Sequence, residues 1–459
     1  MRLNPLDAVW LALESRDTPM HVGTLAIFRQ SRGVPVKQLA QTLREASDIA
    51  EPWNLRLVDS EIKSLAPRLV QDPGFDLDYH FRHSALPQPG GERELGVVVS
   101  RLHSQPLDRY RPLWEFHLIE GLERGRFAIY FKAHHALIDN VNAVPMFLAS
   151  LASTAARRSV APIWTIPLDR SRDLSAGLGV GDFLQALSDP RDVMASLRHV
   201  GSGLRRTLRQ RDGEGSVLVS RGTPRSTLNR RINSQRRFAT QQFSEERIVA
   251  LAQQADSTVN SVLAYLCGTS LRRFFKEYNA LPDESLVAAL PVSLQERSEL
   301  LPGNAIAGLR VALGTHIGDP LRRLEAVKAS IAAVRADRAS LPQSSVTPYV
   351  LLRSAPVYAS QLPVVGSFVP PLFNLSVSNT VGSDRARYLQ GSRLEAIYPL
   401  NPLLQYSALS IDCVNYAGTL NIGFTGARDT LPHLQRLAVY TGKAVEELEA
   451  LLASTGAAA

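Results

Sequence analysis

The sequence predicts two mixed α/β domains, and three observations support this fold class. The chain has 459 residues, which is too long for one ordinary hydrophobic core. Strand-like runs alternate with helix-like segments in both halves of the chain. An arginine-rich segment without sustained periodicity lies between these halves. We therefore predict an N-terminal domain over residues 1–160, a linker over residues 161–236 and a C-terminal domain over residues 237–459.

The composition is that of a globular protein of a reducing compartment. Hydrophobic residues make up 45% of the chain and charged residues 20%. The two cysteines, Cys267 and Cys413, provide neither a disulfide framework nor the spacing of a metal site. The first residues lack an apolar segment typical of a signal peptide. We therefore expect a cytoplasmic protein without a metal ion.

Short apolar runs predict the strands of the N-terminal half. They cover residues 24–28, 114–119 and 126–131. Residues 120–125 contain Gly121 and Gly125 and predict a hairpin turn between the last two strands. The apolar stretch over residues 141–151 is compatible with a helix.

The C-terminal half starts with long helical stretches over residues 244–278. Strands are predicted at residues 286–290 and 306–313. Asp319 and Pro320 predict a helix start, because aspartate is a good N-cap and proline suits the first helical position. Residues 409–424 alternate around Tyr416-Ala417-Gly418 as a β-hairpin does. A final amphipathic helix is predicted near the C-terminus.

The net charge of +8 is concentrated in one segment. Residues 198–237 carry eleven arginines against Asp212 and Glu214, a local net charge of +9. Such a linker could attract anionic lipid, a polyphosphate ligand or nucleic acid, or it could be solvated loop charge. Nucleic acid is disfavoured, because no aromatic residues are interleaved for base stacking.

A second unusual segment, residues 354–383, contains no charged residue. Its four prolines argue against a membrane-spanning helix, because each interior proline removes a hydrogen bond that lipid cannot replace. We interpret the segment as buried or as lining an apolar cavity, with contact to a membrane surface as an alternative.

The motif with the most chemical content is His134-His135, followed by Asp139. It lies between the strand predicted at residues 126–131 and the helix predicted at residues 141–151. A histidine fixed at such a junction is well placed to accept a proton, because its ordinary pKa of about 6.5 is near physiological pH. His135 is therefore the candidate base for an attacking hydroxyl. Asp139 is a candidate to orient the imidazole or to pair with an arginine such as Arg56.

The spacing alone does not separate this catalytic role from a structural one, and slightly favours the latter. Metal binding is less attractive, since adjacent histidines diverge by about 100° on a helix and no third ligand cluster is evident. The chain also lacks the Gly-x-Ser-x-Gly motif of serine hydrolases and a P-loop.

A series of further motifs resembles the bacterial wax ester synthase/diacylglycerol acyltransferase family, nearly from end to end. The matching segments are Pro5-Leu6-Asp7-Ala8, Pro19-Met20-His21-Val22-Gly23, Pro112-Leu113-Trp114, His134-His135-Ala136-Leu137-Ile138-Asp139, Thr258-Val259-Asn260, Pro291-Val292-Ser293-Leu294, Gly303-Asn304 and Ser378-Asn379. So many matches in order carry more weight than any one of them.

The resemblance implies two chloramphenicol-acetyltransferase-like domains with the active site in a tunnel between them. It implies an O-acyltransferase that moves a fatty acyl group from acyl-CoA to a long-chain alcohol or to diacylglycerol, without an acyl-enzyme and without a cofactor. His135 is then the general base, His134 a supporting residue, Asp139 a structural or orienting residue and Asn260 a support of the active site. Independently of the resemblance, the basic linker predicts peripheral attachment to an anionic membrane or lipid-droplet surface, and binding of nucleic acid is not expected.

The sequence departs from the family pattern at several motifs. Asn140 replaces a glycine, Ser261 an aspartate and Gln295 an arginine, and Thr380-Val381-Gly382 lacks the usual proline. Because asparagine tolerates left-handed backbone geometry, the turn at Asn140 is expected to survive. Two alternatives to the leading hypothesis stay open. One is a catalytically impaired lipid- or acyl-CoA-binding homologue, and the other is an acyltransferase with a different acceptor.

Overall fold

The computed structural model describes residues 1–3, 5–58, 67–158, 161–168, 223–290, 309–339, 357–361 and 365–456. The helices are α1 (Pro5–Leu13), α2 (Val36–Glu45), α3 (Leu77–His80), α4 (Glu92–Ser104), α5 (Asn140–Ala149), α6 (Glu245–Gln254), α7 (Val259–Glu277), α8 (Pro320–Ala339) and α9 (Gln435–Gly456). The strands are β1 (His21–Arg29), β2 (Leu55–Leu57), β3 (Leu69–Gln71), β4 (Phe81–Ala85), β5 (Trp114–Leu122), β6 (Arg126–His134), β7 (Arg236–Ser244), β8 (Val287–Leu290), β9 (Leu309–Ala312), β10 (Leu375–Ser383), β11 (Tyr388–Leu389), β12 (Ser392–Leu400), β13 (Leu409–Tyr416) and β14 (Thr419–Ala427).

The first large sheet has the strand order β11-β12-β1-β6-β5-β4. Its central strand β1 is antiparallel to both β6 and β12. Alternate residues of β1 enter different cores: Phe28 packs with Trp114 and Phe131 on one face, and Ile27 packs with Val99 of α4 on the other. Because both faces are covered, β1 is apolar along most of its length rather than alternating.

The second large sheet has the strand order β7-β14-β13-β10-β8-β9. Strand β10 runs parallel to β13 and β8, and the other neighbours pair antiparallel. The long helix α7 is buried along one face of this sheet, where Leu263, Leu266 and Phe274 join the same core as Ile411 and Leu420. The fold is therefore a mixed α/β arrangement around two sheets, as predicted.

Most predicted elements are confirmed. The runs at residues 24–28, 114–119 and 126–131 lie in β1, β5 and β6, and residues 286–290 and 306–313 contain β8 and β9. The helix predicted to start at Pro320 is α8, with Asp319 accepting a hydrogen bond from the Arg322 amide at 2.7 Å. The predicted hairpin is β13–β14, and it turns at Ala417-Gly418, where both residues have positive φ.

One strand crosses between the two halves of the chain. The sequence-based boundary assigns residues 237–459 to the C-terminal domain, but β12 pairs with β1 of the first sheet, from Gly23 opposite Leu400 to Arg29 opposite Arg393. Strand β1 would otherwise be an exposed edge in the middle of an apolar layer. Strands β11 and β12 therefore belong with the N-terminal sheet, and the predicted limits 1–160, 161–236 and 237–459 otherwise stay predictions.

Helix α4 of the N-terminal half covers the edge strand β7 of the second sheet. The Ser104 hydroxyl accepts a hydrogen bond from the Arg236 amide at 2.8 Å, and the Ser100 hydroxyl accepts one from the Phe238 amide at 2.9 Å. Both hydroxyls donate within α4, to the carbonyls of Ser100 and Gly96 respectively. The two serines thus accept the hydrogen bonds of edge-strand amides that would otherwise be free to pair with another strand.

Several sequence-based predictions lie outside the described residues. They concern most of the arginine-rich segment, the motif Pro291-Val292-Ser293-Leu294 with Gln295, and Gly303-Asn304. Across the part of the chain that the structure describes, none of the helices has the length and apolar character needed to cross a membrane.

Candidate active site

The histidine pair lies at the end of β6, where the strand turns toward α5. His134 is the last residue of β6, and its amide donates to the Leu113 carbonyl at 2.9 Å. The His135 amide donates to the Met20 carbonyl at 2.8 Å, beside the start of β1. Both side chains are buried, with 0% and 3% exposure. Hydrogen bonds to the segments on both sides of β6 therefore fix the backbone positions of the two histidines.

Asp139 is the N-cap of the helix that follows. Its backbone is extended, and its carboxylate accepts a hydrogen bond from the Asn142 amide at 2.8 Å. Asn140 is the first helical residue of α5, so this position takes a right-handed helical backbone. The turn into α5 is thus intact, as expected, but Asn140 preserves it from within the helix and not from a left-handed position.

Helix α1 and the residue that follows it supply two side chains to the histidine pair. The indole of Trp10 stacks on the imidazole of His135, with ring centroids 3.8 Å apart and an interplanar angle of 18°. Glu14, one turn further along the chain, has an oxygen 3.7 Å from Nε2 of His134. Nδ1 of His134 accepts a hydrogen bond from the Ala136 amide at 3.0 Å. The proton of a neutral His134 is therefore on Nε2, facing the carboxylate.

Glu14 is held as a carboxylate. Its other contacts are Nε of Arg109 at 2.8 Å and the Met20 amide at 3.0 Å. Burial by itself would raise the pKa of Glu14, but His134, Arg109 and the Met20 amide outweigh it and lower this pKa to about 2. Glu14 thus connects His134, the residue before β1 and the loop that carries Arg109.

A second buried charge lies on β6, two residues before His134. The ammonium of Lys132 is fully buried and donates to the carbonyls of Leu102 and Gln105 at 3.2 and 3.0 Å, at the C-terminal end of α4. It also lies 3.1 Å from Glu115 on β5. Burial would raise the pKa of Glu115, but the hydrogen bond from His117 and the charge of Lys132 lower it to about 2. This cluster ties the end of α4 to the strand that carries the histidines.

Asn260 lies at the start of α7, in the other half of the fold. Its side-chain oxygen accepts a hydrogen bond from Asn379 of β10 at 3.1 Å. Strand β10 packs against α5, the helix that Asp139 caps. Ser261, where the family pattern has an aspartate, is buried, and its hydroxyl is 2.9 Å from that of the N-cap Thr258. The motifs from the two halves of the chain therefore come together around α5 and β10.

Sequence reasoning overlooked Trp10 and Glu14. Their signal is their spacing of four residues, which places the ring in a mostly apolar helix and the carboxylate just past its end on the same side. The proposed pairing of Arg56 with Asp139 stays a prediction. The guanidinium of Arg56 lies 3.6 Å from the carboxylate of Asp72.

This arrangement is suited to proton transfer at a buried imidazole. An indole face next to a histidine favours the positively charged form, because the ring quadrupole attracts a cation. Across the described ranges no group of three or more histidine, cysteine, aspartate or glutamate side chains is placed to hold a metal ion.

Two sequence models of one family match this chain. The wax ester synthase/diacylglycerol acyltransferase catalytic domain matches residues 3–263, and the C-terminal domain of the same family matches residues 302–449. A protein of Mycobacterium tuberculosis H37Rv, named as a diacylglycerol O-acyltransferase, is 42% identical over 99% of this chain and 98% of its own length. Another protein of that organism, also named as a diacylglycerol O-acyltransferase, is 36% identical over 97% of this chain and 98% of its own length.

Solved structures agree with these sequence matches. The wax ester synthase/diacylglycerol acyltransferase of Marinobacter aquaeolei VT8 superposes with a TM-score of 0.78 at 31% identity, covering 99% of this chain and all of that one. The first condensation domain of the calcium-dependent antibiotic synthetase gives a TM-score of 0.55 at 18% identity, over 99% of this chain and 96% of that one. The second likeness concerns the fold alone.

Proposed function

The chain belongs to the wax ester synthase/diacylglycerol acyltransferase family, and we propose that it transfers a fatty acyl group from acyl-CoA to a long-chain alcohol or to diacylglycerol. The observation that carries this proposal is the intact His134-His135…Asp139 motif, buried at the end of β6 and backed by Trp10 and Glu14. Family membership and the named relatives support the same reaction.

In the proposed mechanism His135 is the general base. It accepts the hydroxyl proton while the acceptor oxygen attacks the thioester carbonyl carbon. The tetrahedral intermediate then collapses, the C–S bond breaks, and the departing CoA thiolate takes the proton from the imidazolium. The products are an ester and free CoA, and the enzyme returns to its starting state without a covalent intermediate. Stacking on Trp10 supports this role, because it favours the imidazolium that forms between the two proton transfers.

The other site residues are assigned supporting roles. His134 holds the turn, since its ring accepts from the Ala136 amide and faces Glu14. Asp139 stabilises the start of α5 as its N-cap. Asn260 supports the site from the opposite half of the fold through Asn379. None of these three needs to exchange a proton with the substrate.

An acceptor panel tests the proposal. Purified protein is given long-chain acyl-CoA together with a fatty alcohol, diacylglycerol, a long-chain amine or no acceptor, and free CoA and product mass are measured. We expect acceptor-dependent CoA release with ester products from the alcohol or diacylglycerol. Acyl-CoA binding without release would instead favour the lipid-binding alternative that the four altered motifs suggest. Amide products would point to a different acceptor class.

We further propose that the protein attaches peripherally to anionic lipid surfaces. Phe368, in the uncharged segment, is 79% exposed, and the exposed Arg225 donates to the Ser367 carbonyl at 3.2 Å. Arg230 and Arg231, from the same end of the arginine-rich segment, are also exposed. An apolar ring close to a cationic side chain suits the interface of an anionic membrane.

Vesicle co-sedimentation tests this attachment. Binding to anionic vesicles should exceed binding to neutral ones and should weaken with salt, since screening acts over about 8–10 Å near physiological ionic strength. Phe368→Ser and Arg225→Gln should each reduce binding. Tyr110→Ser is the matched control, because Tyr110 is 63% exposed and lies in the other half of the chain. Vesicle binding that changes neither with salt concentration nor in the two variants would contradict the proposal.

A further inference from the structure

A buried polar connection joins the two sheets, and Asp412 is its centre. Asp412 lies on β13 and is fully buried. Its carboxyl group accepts hydrogen bonds from the Ser378 hydroxyl at 2.7 Å, the Asn401 amide group at 2.5 Å and the Ser410 hydroxyl at 2.9 Å. Burying a carboxyl group is costly unless it is well bonded, so a site with three donors is built around this side chain.

One branch of the connection leads to Asn260. Ser378 lies directly opposite Asp412 in the parallel pairing of β10 with β13. The next residue, Asn379, points to the other face of the sheet, because successive side chains of a strand alternate. There its amide group donates to Asn260 at the start of α7. The bond between Asp412 and Ser378 therefore fixes the strand position from which Asn379 reaches Asn260.

The other branch leads toward the histidine pair. Asn401 follows β12, and its carbonyl accepts from Nε2 of His103 at 3.4 Å. Burial lowers the pKa of His103 to about 3, with a further contribution from Arg236, so its ring is neutral. Nδ1 of His103 then accepts from the hydroxyl of Tyr130 at 2.8 Å.

His21 completes this branch. Its Nε2 donates to the backbone carbonyl of His103 at 3.1 Å, and burial keeps its pKa well below the usual value, so this ring is neutral too. On β1, His21 lies opposite His134 of β6. The branch from Asp412 thus ends at the strand position beside the histidine pair.

We propose that Asp412 is a positioning residue, which sets the place of Asn260 relative to His134 and His135 by bonding Ser378 and Asn401 at the same time. The inference rests on the proposed acyl transfer. A single oxygen of Asp412 accepts hydrogen bonds from both Ser378 and Asn401. The positioning role therefore needs this acceptor oxygen and not a negative charge. Asparagine at this position would retain the acceptor, and its amide group could donate to the Ser410 hydroxyl.

Four variants test the proposal in the full-length protein. Asp412→Ala should lower kcat about tenfold or more with KM for acyl-CoA changed less than about threefold, because misplacing a catalytic support by about 1 Å acts on the reaction rather than on binding. Asp412→Asn should retain kcat within about threefold. Ser378→Ala, which breaks one branch only, should fall between them. Thr425→Val is the control, since its buried hydroxyl on the neighbouring strand β14 has no hydrogen-bond partner among the described residues.

Two results would overturn the proposal: a folded Asp412→Ala protein with wild-type kcat, or an Asp412→Asn protein as impaired as Asp412→Ala. If Asp412→Ala does not fold, Ser378→Ala decides, and an unchanged kcat there contradicts the inference.

Hydrogen exchange separates this inference from the proposed function. Exchange of amides in β10, at the start of α7 and at the end of α4 should rise in Asp412→Ala and not in Thr425→Val, whether or not the wild type releases CoA. A wild type without acyl transfer would contradict the function alone, whereas unchanged exchange in Asp412→Ala would contradict the connection alone.

Discussion

At the scale of single residues, Trp10 of α1 and Glu14, the residue after that helix, divide the support of the two histidines. Trp10 covers the ring of His135, and Glu14 faces the ring of His134. One histidine thus receives an aromatic surface that favours positive charge, while the Nε2 of the other lies 3.7 Å from a carboxylate. This division agrees with a base at His135 and a supporting residue at His134.

Replacing His135 with alanine should lower kcat by about 10² or more, because a positioned base contributes about 10²–10⁴-fold to such a reaction. The measurement is acceptor-dependent CoA release, with circular dichroism and thermal unfolding as the check on folding. A folded variant that releases CoA at near wild-type rates would remove His135 from the mechanism.

Replacing Trp10 with leucine should lower kcat about two- to thirtyfold, because about 0.5–2 kcal/mol of cation–π stabilisation of the imidazolium is lost. Trp10→Phe keeps an aromatic face and should recover most of the rate. Equal losses in the two variants would mean that the size of the side chain matters and the aromatic face does not. Rates are compared at saturating acyl-CoA, so that differences in acyl-CoA binding do not affect the comparison.

At the scale of elements, the contact between α4 and β7 depends on hydroxyl groups. Ser104→Ala would leave the buried Arg236 amide without its acceptor, which typically costs about 1–3 kcal/mol. We expect the free energy of unfolding in urea to fall by about that amount. Ser150→Ala is the control, because the Ser150 hydroxyl donates locally, to the Phe147 carbonyl of the helix that it caps. Equal stability of the two variants would show that the serine hydroxyls do not hold α4 to β7.

Short sequence patterns correctly predicted those strands, helix starts and turns that depend on neighbouring residues alone. The apolar runs of β1, β5 and β6, the Asp319-Pro320 start of α8 and the turn at Ala417-Gly418 are all legible in short stretches of sequence. The pairing of β1 with β12 could not be predicted in this way, because β12 lies more than 360 residues further along the chain and no local pattern indicates the pairing. The histidine motif could likewise be recognised in the sequence, whereas the support from Trp10 depends on how α1 packs against the end of β6.

At the scale of the whole molecule, buried carboxyl groups give stability two opposite dependences on pH. The pKa values of Glu14 and Glu115 are about 2, below the ordinary 4.5, so their stabilisation is present above about pH 4.5 and is lost as the pH falls toward 2. Asp412 acts in the opposite direction. Burial raises its pKa from 3.8 to about 7 against three hydrogen bonds, so its contribution declines as the pH rises from about 4 through 7.

Thermal unfolding across pH 3–9 should therefore show a maximum in Tm at mildly acidic pH. Glu14→Gln should flatten the acid side, since a shift of this size corresponds to on the order of 3 kcal/mol. Asp412→Asn should flatten the side toward neutral pH and raise Tm there relative to the wild type. Parallel curves for the wild type and both variants would contradict these assignments.

The crossing of β12 into the first sheet has a consequence for biosynthesis. When the N-terminal half leaves the ribosome, the open side of β1 has no strand beside it until residues 392–400 have been translated. The nascent half therefore presents an apolar, aggregation-prone edge for most of the time that synthesis takes, and it is a natural client for chaperones. A gene divided after residue 168 should accordingly yield two fragments that are insoluble when made separately and recover activity when made in the same cell.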